Sequence, residues 1–317
     1  MGHAAPWALA LGQMALLVLL GPLVTGVIQK LKALLQSRRG AGILQPYRDL
    51  AKLLRKGTVQ ADTTGSFFRA VPVLVLAATC SAAALVPVLV APAPAGAAAA
   101  LPLGDAILLL GWLALGRFLT AVGALDAGGA FGGMGSSREM TIATLVEPVL
   151  MLAVFSVAVA AGTTDLGALA AHHSTGRGSL GAPDVLALFA MLLLLLAETG
   201  RIPVDNPDTH LELTMLHEGM LLEHSGPGLA ALALAQHTKQ IVVIALVQAL
   251  FLPWMAASPT AGALALALGA FAARTLALVV FLALVESSYA KLRFFRLPQF
   301  LGLGFLSAFL AVALRIL

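Results

Sequence analysis

The chain has 317 residues, 60% of them hydrophobic and only 11% charged, with a mean hydropathy of +0.96. These values exclude a soluble domain and define a membrane protein with room for roughly eight spans of about 20 residues each. The net charge of +4 is no nucleic-acid signature, because the basic residues gather in particular loops, and one cysteine, Cys80, provides neither an iron–sulfur ligand set nor a CxxC centre.

Eight apolar segments follow one another, near 7–29, 70–92, 103–123, 139–162, 183–200, 228–254, 260–286 and 299–316. The first is too long for a signal-peptide core and lacks a basic start, which predicts a retained helix. Pro and Gly punctuate the joins: APAPAG at 91–96, GGAFGGMG at 128–135, GRGSLGAP at 176–183 and SGPG at 225–228. No internal repeat is visible, which argues against a transporter built from inverted halves. Abundant Ala and Gly suit helices that pack closely in lipid.

Lys and Arg fix the expected orientation. Nine lie in the first connection, Arg138 in the third, Arg201 in the fifth, and Lys291, Arg293 and Arg296 in the seventh, against Arg177 alone in the even ones. The odd connections, about 30–69, 124–138, 201–227 and 287–298, are therefore expected in the cytoplasm, with both termini outside. The expected fold is an all-α integral membrane protein. One polytopic domain, 1–317, would hold about eight transmembrane helices with short amphipathic cytoplasmic helices.

Two of these connections carry chemistry. In the first, Arg38 to Val59 reads as a glycine turn and then an amphipathic helix, with Pro46 in its first turn. Leu50, Leu53 and Leu54 share one face, and Arg48, Asp49, Lys52, Arg55 and Lys56 surround the other. Two readings fit: an interfacial helix that snorkels its lysines, or a docking surface beside a cavity entrance. Arg39, Arg48, Asp49 and Lys52, with Arg201, are the candidates for docking or loop ion pairs.

In the fifth connection, six of the fifteen acidic residues fall between Glu198 and Glu223: Glu198, Asp205, Asp208, Glu212, Glu218 and Glu223. Carboxylates at the edge of a bilayer must be hydrated, paired or protonated. Asn206-Pro207-Asp208 reads as a helix start, which puts Asp208 and Glu212 four apart on one face. Close carboxylates cannot both ionise freely, so one is poised to carry a proton. Arg201 and Asp205 form an expected ion pair just upstream. A purely structural reading, in which these acids cap helices and pair with the basic loop, fits the same residues. His210, His217 and His224 recur every seven residues, too far apart along a helix to share one metal ion.

Ionisable groups also lie within or near the ends of the spans: Arg117, Glu147, Lys239, Arg274, Glu139 and Glu286. Each left bare at mid-bilayer would cost about 2.5–3.5 kcal/mol. Such a string points to an internal hydrated path, although any one of them would also serve as a structural ion pair.

The stretch Gly42-Ile-Leu-Gln-Pro-Tyr-Arg-Asp-Leu-Ala-Lys52 resembles the first cytoplasmic loop of the membrane-arm heel subunit of respiratory complex I, NADH dehydrogenase subunit 1. Glu198-Thr-Gly-Arg-Ile-Pro-Val-Asp205, then Pro207-Asp208, Glu212-Leu213 and Glu223-His-Ser-Gly226, is similar to that subunit's third cytoplasmic loop. Val204 stands where the complex I pattern has Phe, and His210 where it has an acid. The run Asp205 to Met215 looks closer to the membrane subunit of group 4 [NiFe] hydrogenases, the formate hydrogenlyase type.

The resemblance implies a subunit that holds no redox cofactor itself and docks a hydrogenase large subunit and an iron–sulfur small subunit on its cytoplasmic side. The [NiFe] centre and iron–sulfur clusters would sit in those partners. Antiporter-like subunits would lie beside it in a bacterial or archaeal cytoplasmic membrane. Carried over by motif, Glu198, Asp205, Asp208 and Glu212 match the entrance of a proton path that Glu147, Glu223 and Lys239 would extend. Quinone binding, the complex I alternative, is put in question by Val204 and His210. A free-standing ion transporter is the rival of another class.

Overall fold

The structure, a computed structural model, describes residues 4–61, 64–90, 104–174, 181–202, 204–205, 217–252, 260–289, 292 and 296–317. Among the described residues, ten α-helices carry the fold: α1 Ala4–Leu35, α2 Gln45–Leu54, α3 Ser66–Leu85, α4 Ala106–Asp126, α5 Ala130–Ala161, α6 Leu166–Ser174, α7 Ala182–Glu198, α8 Gly226–Phe251, α9 Ala261–Ser288 and α10 Leu297–Ile316. A 3₁₀ turn covers Glu218–Met220. Among the described residues, seven helices (α1, α3, α4, α5, α8, α9 and α10) are long and apolar enough to cross a membrane. The eighth expected span is α7, with 17 residues. At 1.5 Å per residue it rises about 25 Å, short of a hydrocarbon core of about 30 Å.

Burial places α8 at the centre. Some 67% of its most apolar stretch is buried, against 33% for α9 and α10, which lie on the outside. Leu17 and Ile28 of α1, Met191 and Leu194 of α7, and Ile241 and Ile244 of α8 are among the fully buried side chains. Helix α3 packs on α4 and α8, α10 packs on α5 and α7, and α1 lies between α8 and α9.

The expected joins need correction in three places. GGAFGGMG is not a loop: only residues 127–129 connect α4 to α5, and Gly132 and Gly135 are buried inside α5. A Cβ at Gly132 would come within 2.8 Å of the Ala124 carbonyl, so glycine is there to let two helices touch. Helix α1 runs on to Leu35, which places Lys30 and Lys32 on a helix instead of in the first loop. Between α5 and α7 lies the unforeseen α6, whose first turn is capped by Asp165 Oδ1 accepting from the Ala168 amide at 2.7 Å.

Where the chain ends of the basic first loop meet the end of the acidic stretch, the connections are bolted together. The Val59 amide donates to Ser225 Oγ at 2.8 Å, and that hydroxyl donates back to the Val59 carbonyl at 2.6 Å. The His224 ring stacks on Phe68, with centroids 4.1 Å apart and planes 2° from parallel. Gly226 adopts φ +53°, and a Cβ there would sit 2.8 Å from the Gly57 carbonyl. At the opposite end of the bundle, the buried Asp184 of α7 binds Arg315 of α10 and His173 of α6, the latter at 3.2 Å. That triplet holds three helices at one point.

Candidate functional site

The shortness of α7 creates the site. The chain leaves the helix at Glu198 and turns through Gly200 at φ +58°. Irregular backbone at membrane depth is tolerated only where protein buries it or water reaches it. Here charged side chains from four helices converge on the point where α7 stops.

Glu198 lies at the centre, its side chain 1% exposed. Arg117 Nη2, from the middle of α4, donates to Glu198 Oε1, and Lys239 Nζ of α8 lies 2.6 Å from Glu198 Oε2. The same guanidinium reaches α5. Its Nη1 donates to Glu147 Oε1 at 2.9 Å, and its Nε lies 3.4 Å from Glu139 Oε1. Glu147 is the eighteenth residue of the 32-residue α5, near its middle, and its side chain is 42% exposed.

A second group sits nearer the basic-loop side. Arg201 Nη1 donates to Glu286 Oε1 of α9 at 3.0 Å, and its Nη2 donates to Gln240 Oε1 at 3.2 Å. Lys32 Nζ lies 3.6 Å from Glu286 Oε2, a carboxylate with no exposed surface. Thr25 donates to Gln240 Oε1 at 3.0 Å and lies 3.1 Å from His237 Nδ1. Glu198 and Arg201 are three residues apart, and Lys239 and Gln240 are adjacent, so the two groups share a wall.

The ion pairs join four cations to four carboxylates. At an effective dielectric of about 20, each contact near 3 Å contributes roughly 5–6 kcal/mol of attraction. Desolvating each ion costs several kcal/mol, so such a network roughly breaks even and is a poor device for stability. Charges kept inside a membrane despite that balance are candidates for function.

Three cavities follow the charges. One of about 530 Å³ is lined by Thr25, Lys32, Arg38, Arg201, Glu218 and Gln240. One of about 60 Å³ is lined by Arg117, Glu139, Asp205, His217 and Lys239, and one of about 210 Å³ by Arg117, Glu147, Leu150 and Met151. Glu198 borders all three. Each exceeds the roughly 10–15 Å³ one water needs, and the polar lining of the first two supplies the partners water requires, while the third is walled mostly by apolar side chains. Arg201 Nε and Gln240 Nε2 are buried without a hydrogen-bond partner among the described residues, a need water meets. Burial pushes the His217 imidazole down, toward its neutral form.

Of the residues singled out in the sequence, Glu147, Glu198, Arg201, Asp205 and Lys239 come together here. Arg201 was expected to pair with Asp205; the structure shows it reaching Glu286 across the bundle, while the buried Asp205 donates its amide to the Arg201 carbonyl at 3.2 Å. Glu223 lies on the surface against Gly129 of the α4–α5 turn, away from the three cavities. Asp208, Glu212 and His210 lie outside the described residues. Arg39, Arg48, Asp49 and Lys52 are exposed, with Asp49 Oδ1 accepting from Gln45 Nε2 at 2.8 Å. Leu54, placed on the apolar face of α2 by its spacing, is 61% exposed. Thr25 carried no expectation, and Lys32 was counted only as a loop cation. The signal was there: Thr25, Gln29, Lys32 and Gln36 recur at helical spacing along α1 and just past its end, and all line the largest of the three cavities.

The architecture and its charged interior define a polytopic helical membrane subunit built to carry ionisable groups through a bundle. Residues 8–316 match the family model for NADH dehydrogenase, and the chain belongs to that family. It is 36% identical to formate hydrogenlyase subunit 4 of Escherichia coli (strain K12) over 300 residues, covering 94% of this chain and 95% of that protein. It is also 36% identical to hydrogenase-4 component C of the same organism, covering 95% and 93%. An NADH-quinone oxidoreductase subunit of Salinibacter ruber is more distant, at 26% identity over 70% of this chain and 65% of that one. Among solved structures, a chain of the membrane-bound sulfane sulfur reductase, an archaeal respiratory membrane complex, superposes with a TM-score of 0.80 at 19% identity, covering 98% of this chain and 99% of that one.

Proposed function

We propose that this chain is the membrane-anchoring and ion-coupling subunit of a membrane-bound hydrogenase complex of the formate hydrogenlyase or energy-converting type. The observation that carries the reading is the meeting of two groups of ion pairs between the helix ends on the basic-loop side and the middle of α5. Glu286 pairs with Lys32 and Arg201; Glu198, three residues before Arg201, pairs with Lys239 and with Arg117, which reaches Glu147, along cavities roomy enough for water. The relatives' names supply the class of complex.

In this reading the basic loop and the acidic stretch face the cytoplasm, and both termini face out. They dock the large and small hydrogenase subunits, which hold the [NiFe] centre and iron–sulfur clusters; this chain has one cysteine and cannot supply a cluster's thiolates. Electron transfer in the docked arm changes the local field. Glu198, Asp205 and Glu147 respond by exchanging protons, with Asp208 and Glu212 at the entrance. Antiporter-like membrane subunits take the charge onward.

The test is proton movement by the intact complex in sealed vesicles. Glu198→Gln and Glu147→Gln are expected to abolish coupled proton movement while leaving membrane insertion and subunit assembly intact. Wild-type coupling in both variants would refute the role. A second reading, a quinone chamber of the complex I kind, draws on one observation: the largest of the three cavities, about 530 Å³, falls within the usual range for small-molecule sites. Quinone-dependent turnover of the purified complex decides for it.

A further inference from the structure

The lipid-facing surfaces of this bundle are not alike. The outer faces of α9 and α10 are wholly apolar where they are most exposed, through Leu266, Leu276 and Leu284 on one and Leu303, Leu306 and Phe309 on the other. The outer face of α5 is different. Ser137, Thr141 and Thr144 are exposed at helical spacing, and the next turn brings the half-exposed Glu147. The Thr141 and Thr144 hydroxyls are served within the helix, donating to the Ser137 and Met140 carbonyls at 2.8 and 3.0 Å, whereas hydrocarbon offers the exposed part of the Glu147 carboxylate no partner.

Beside Glu147 the surface is dented. The cavity of about 210 Å³ between α4 and α5 is walled by Ile107, Gly111, Ala114, Leu150 and Met151, and a Cβ added at Gly111 would meet nothing within 4 Å. A largely apolar hollow whose lining also takes in Glu147, Arg117 and Glu198 is complementary to a particular surface. Charge points the same way. Among the described residues, Glu139, Glu147 and Glu198 pair with two cations, Arg117 and Lys239, one fewer than the carboxylates.

We propose that the α4–α5 face is covered by a transmembrane helix of a neighbouring subunit, one that presents a hydrogen-bond-donating side chain to Glu147 and a large apolar side chain, about one turn away, to the hollow at Gly111. The inference rests on the reading of this chain as part of a membrane complex and names the surface and chemistry of one contact in it. The apolar faces of α9 and α10 remain for lipid.

The test uses the whole complex in native membranes, in a Cys80→Ser background. Single cysteines at Thr144 and Met151 on the proposed face, and at Leu306 on α10, are each loaded with a maleimide-linked photo-crosslinker and irradiated. Adducts are then mapped by mass spectrometry. The T144C and M151C adducts are expected on one transmembrane segment of a neighbouring subunit that carries a donor side chain, with L306C giving lipid adducts only. Lipid adducts alone at position 144, or a cross-linked segment with no donor within reach, overturn the proposal. Glu147→Gln in the T144C background keeps the cross-link whether or not it stops proton movement, so the contact and the proton path fail separately.

Discussion

Arg117 is the group whose removal discriminates best between a charge network and incidental packing. It is one guanidinium, 5% exposed, touching three carboxylates: Glu198, Glu147 at 2.9 Å and Glu139 at 3.4 Å. Replacement by Gln keeps a polar group of lesser reach and leaves Lys239 as the one cation paired to Glu198. Each lost contact forfeits roughly 5–6 kcal/mol of gross attraction at an effective dielectric of about 20. Breaking a buried pair nets less, because the remaining groups find water or protons, and measured losses run at about 3–5 kcal/mol. R117Q is therefore expected to lower stability by roughly that amount, read from thermal or denaturant unfolding of the purified complex. The double variant R117Q/E198Q removes a buried carboxylate together with its cation and is expected to recover most of the loss. If R117Q unfolds like the wild type, or the second substitution adds its own loss instead of compensating, the three carboxylates do not depend on Arg117 and the network reasoning fails.

Other consequences follow from the geometry. Gly226→Ala forces a side chain into the left-handed region and against the Gly57 carbonyl, costing about 1–3 kcal/mol; faster proteolysis of the 57–65 connection would check it. Burial lowers His224 to about 4, so it folds neutral. An unfolded histidine titrates near 6.5, so its contribution is fully present above that pH and is lost as pH falls from about 6.5 toward 4. His224→Gln should flatten unfolding-midpoint profiles across that window. Arg315→Gln strips the buried Asp184 of its guanidinium partner at the far end of the bundle and should cost about 3 kcal/mol, with coupling by surviving complexes unchanged.

Much of this was legible from the residues. Apolar runs located each span, because lipid leaves the sequence little freedom there, but the ends drifted: α5 begins nine residues before its expected start, α3 ends seven residues early and α1 runs six residues further. What misled was local: GGAFGGMG carries the composition of a loop, yet its small residues serve a helix contact that only the position of α4 reveals. Arg201 and Asp205 looked like a pair because they are neighbours in sequence, while Glu286, 85 positions further on, is the carboxylate Arg201 reaches. Long-range partners of this kind leave no spacing signal. The polar stripe of α1 did leave one, at Thr25, Gln29, Lys32 and Gln36, but the positive count of the first loop absorbed Lys32.

Length, more than any single charged residue, explains why the charges are where they are. Had α7 been a turn or two longer, its backbone would have been satisfied to the membrane edge, and an apolar helix could have filled the space. Stopping at Glu198 closes the last turn on itself, with the carbonyls of Leu195, Leu196 and Ala197 accepting from the Thr199, Arg201 and Gly200 amides, and leaves the Glu198 carboxylate to the neighbouring helices. Arg117 and Lys239 pair with that carboxylate, Glu139 and Glu147 of α5 share Arg117, and Glu286 of α9 pairs with Arg201. A short helix thus leaves room for a polar interior lined by cavities, the space that the proposed proton path requires. Extending α7 by four apolar residues before Glu198 should therefore reduce proton movement by the intact complex in sealed vesicles more completely than any single neutralisation, and undiminished movement in that variant would refute it.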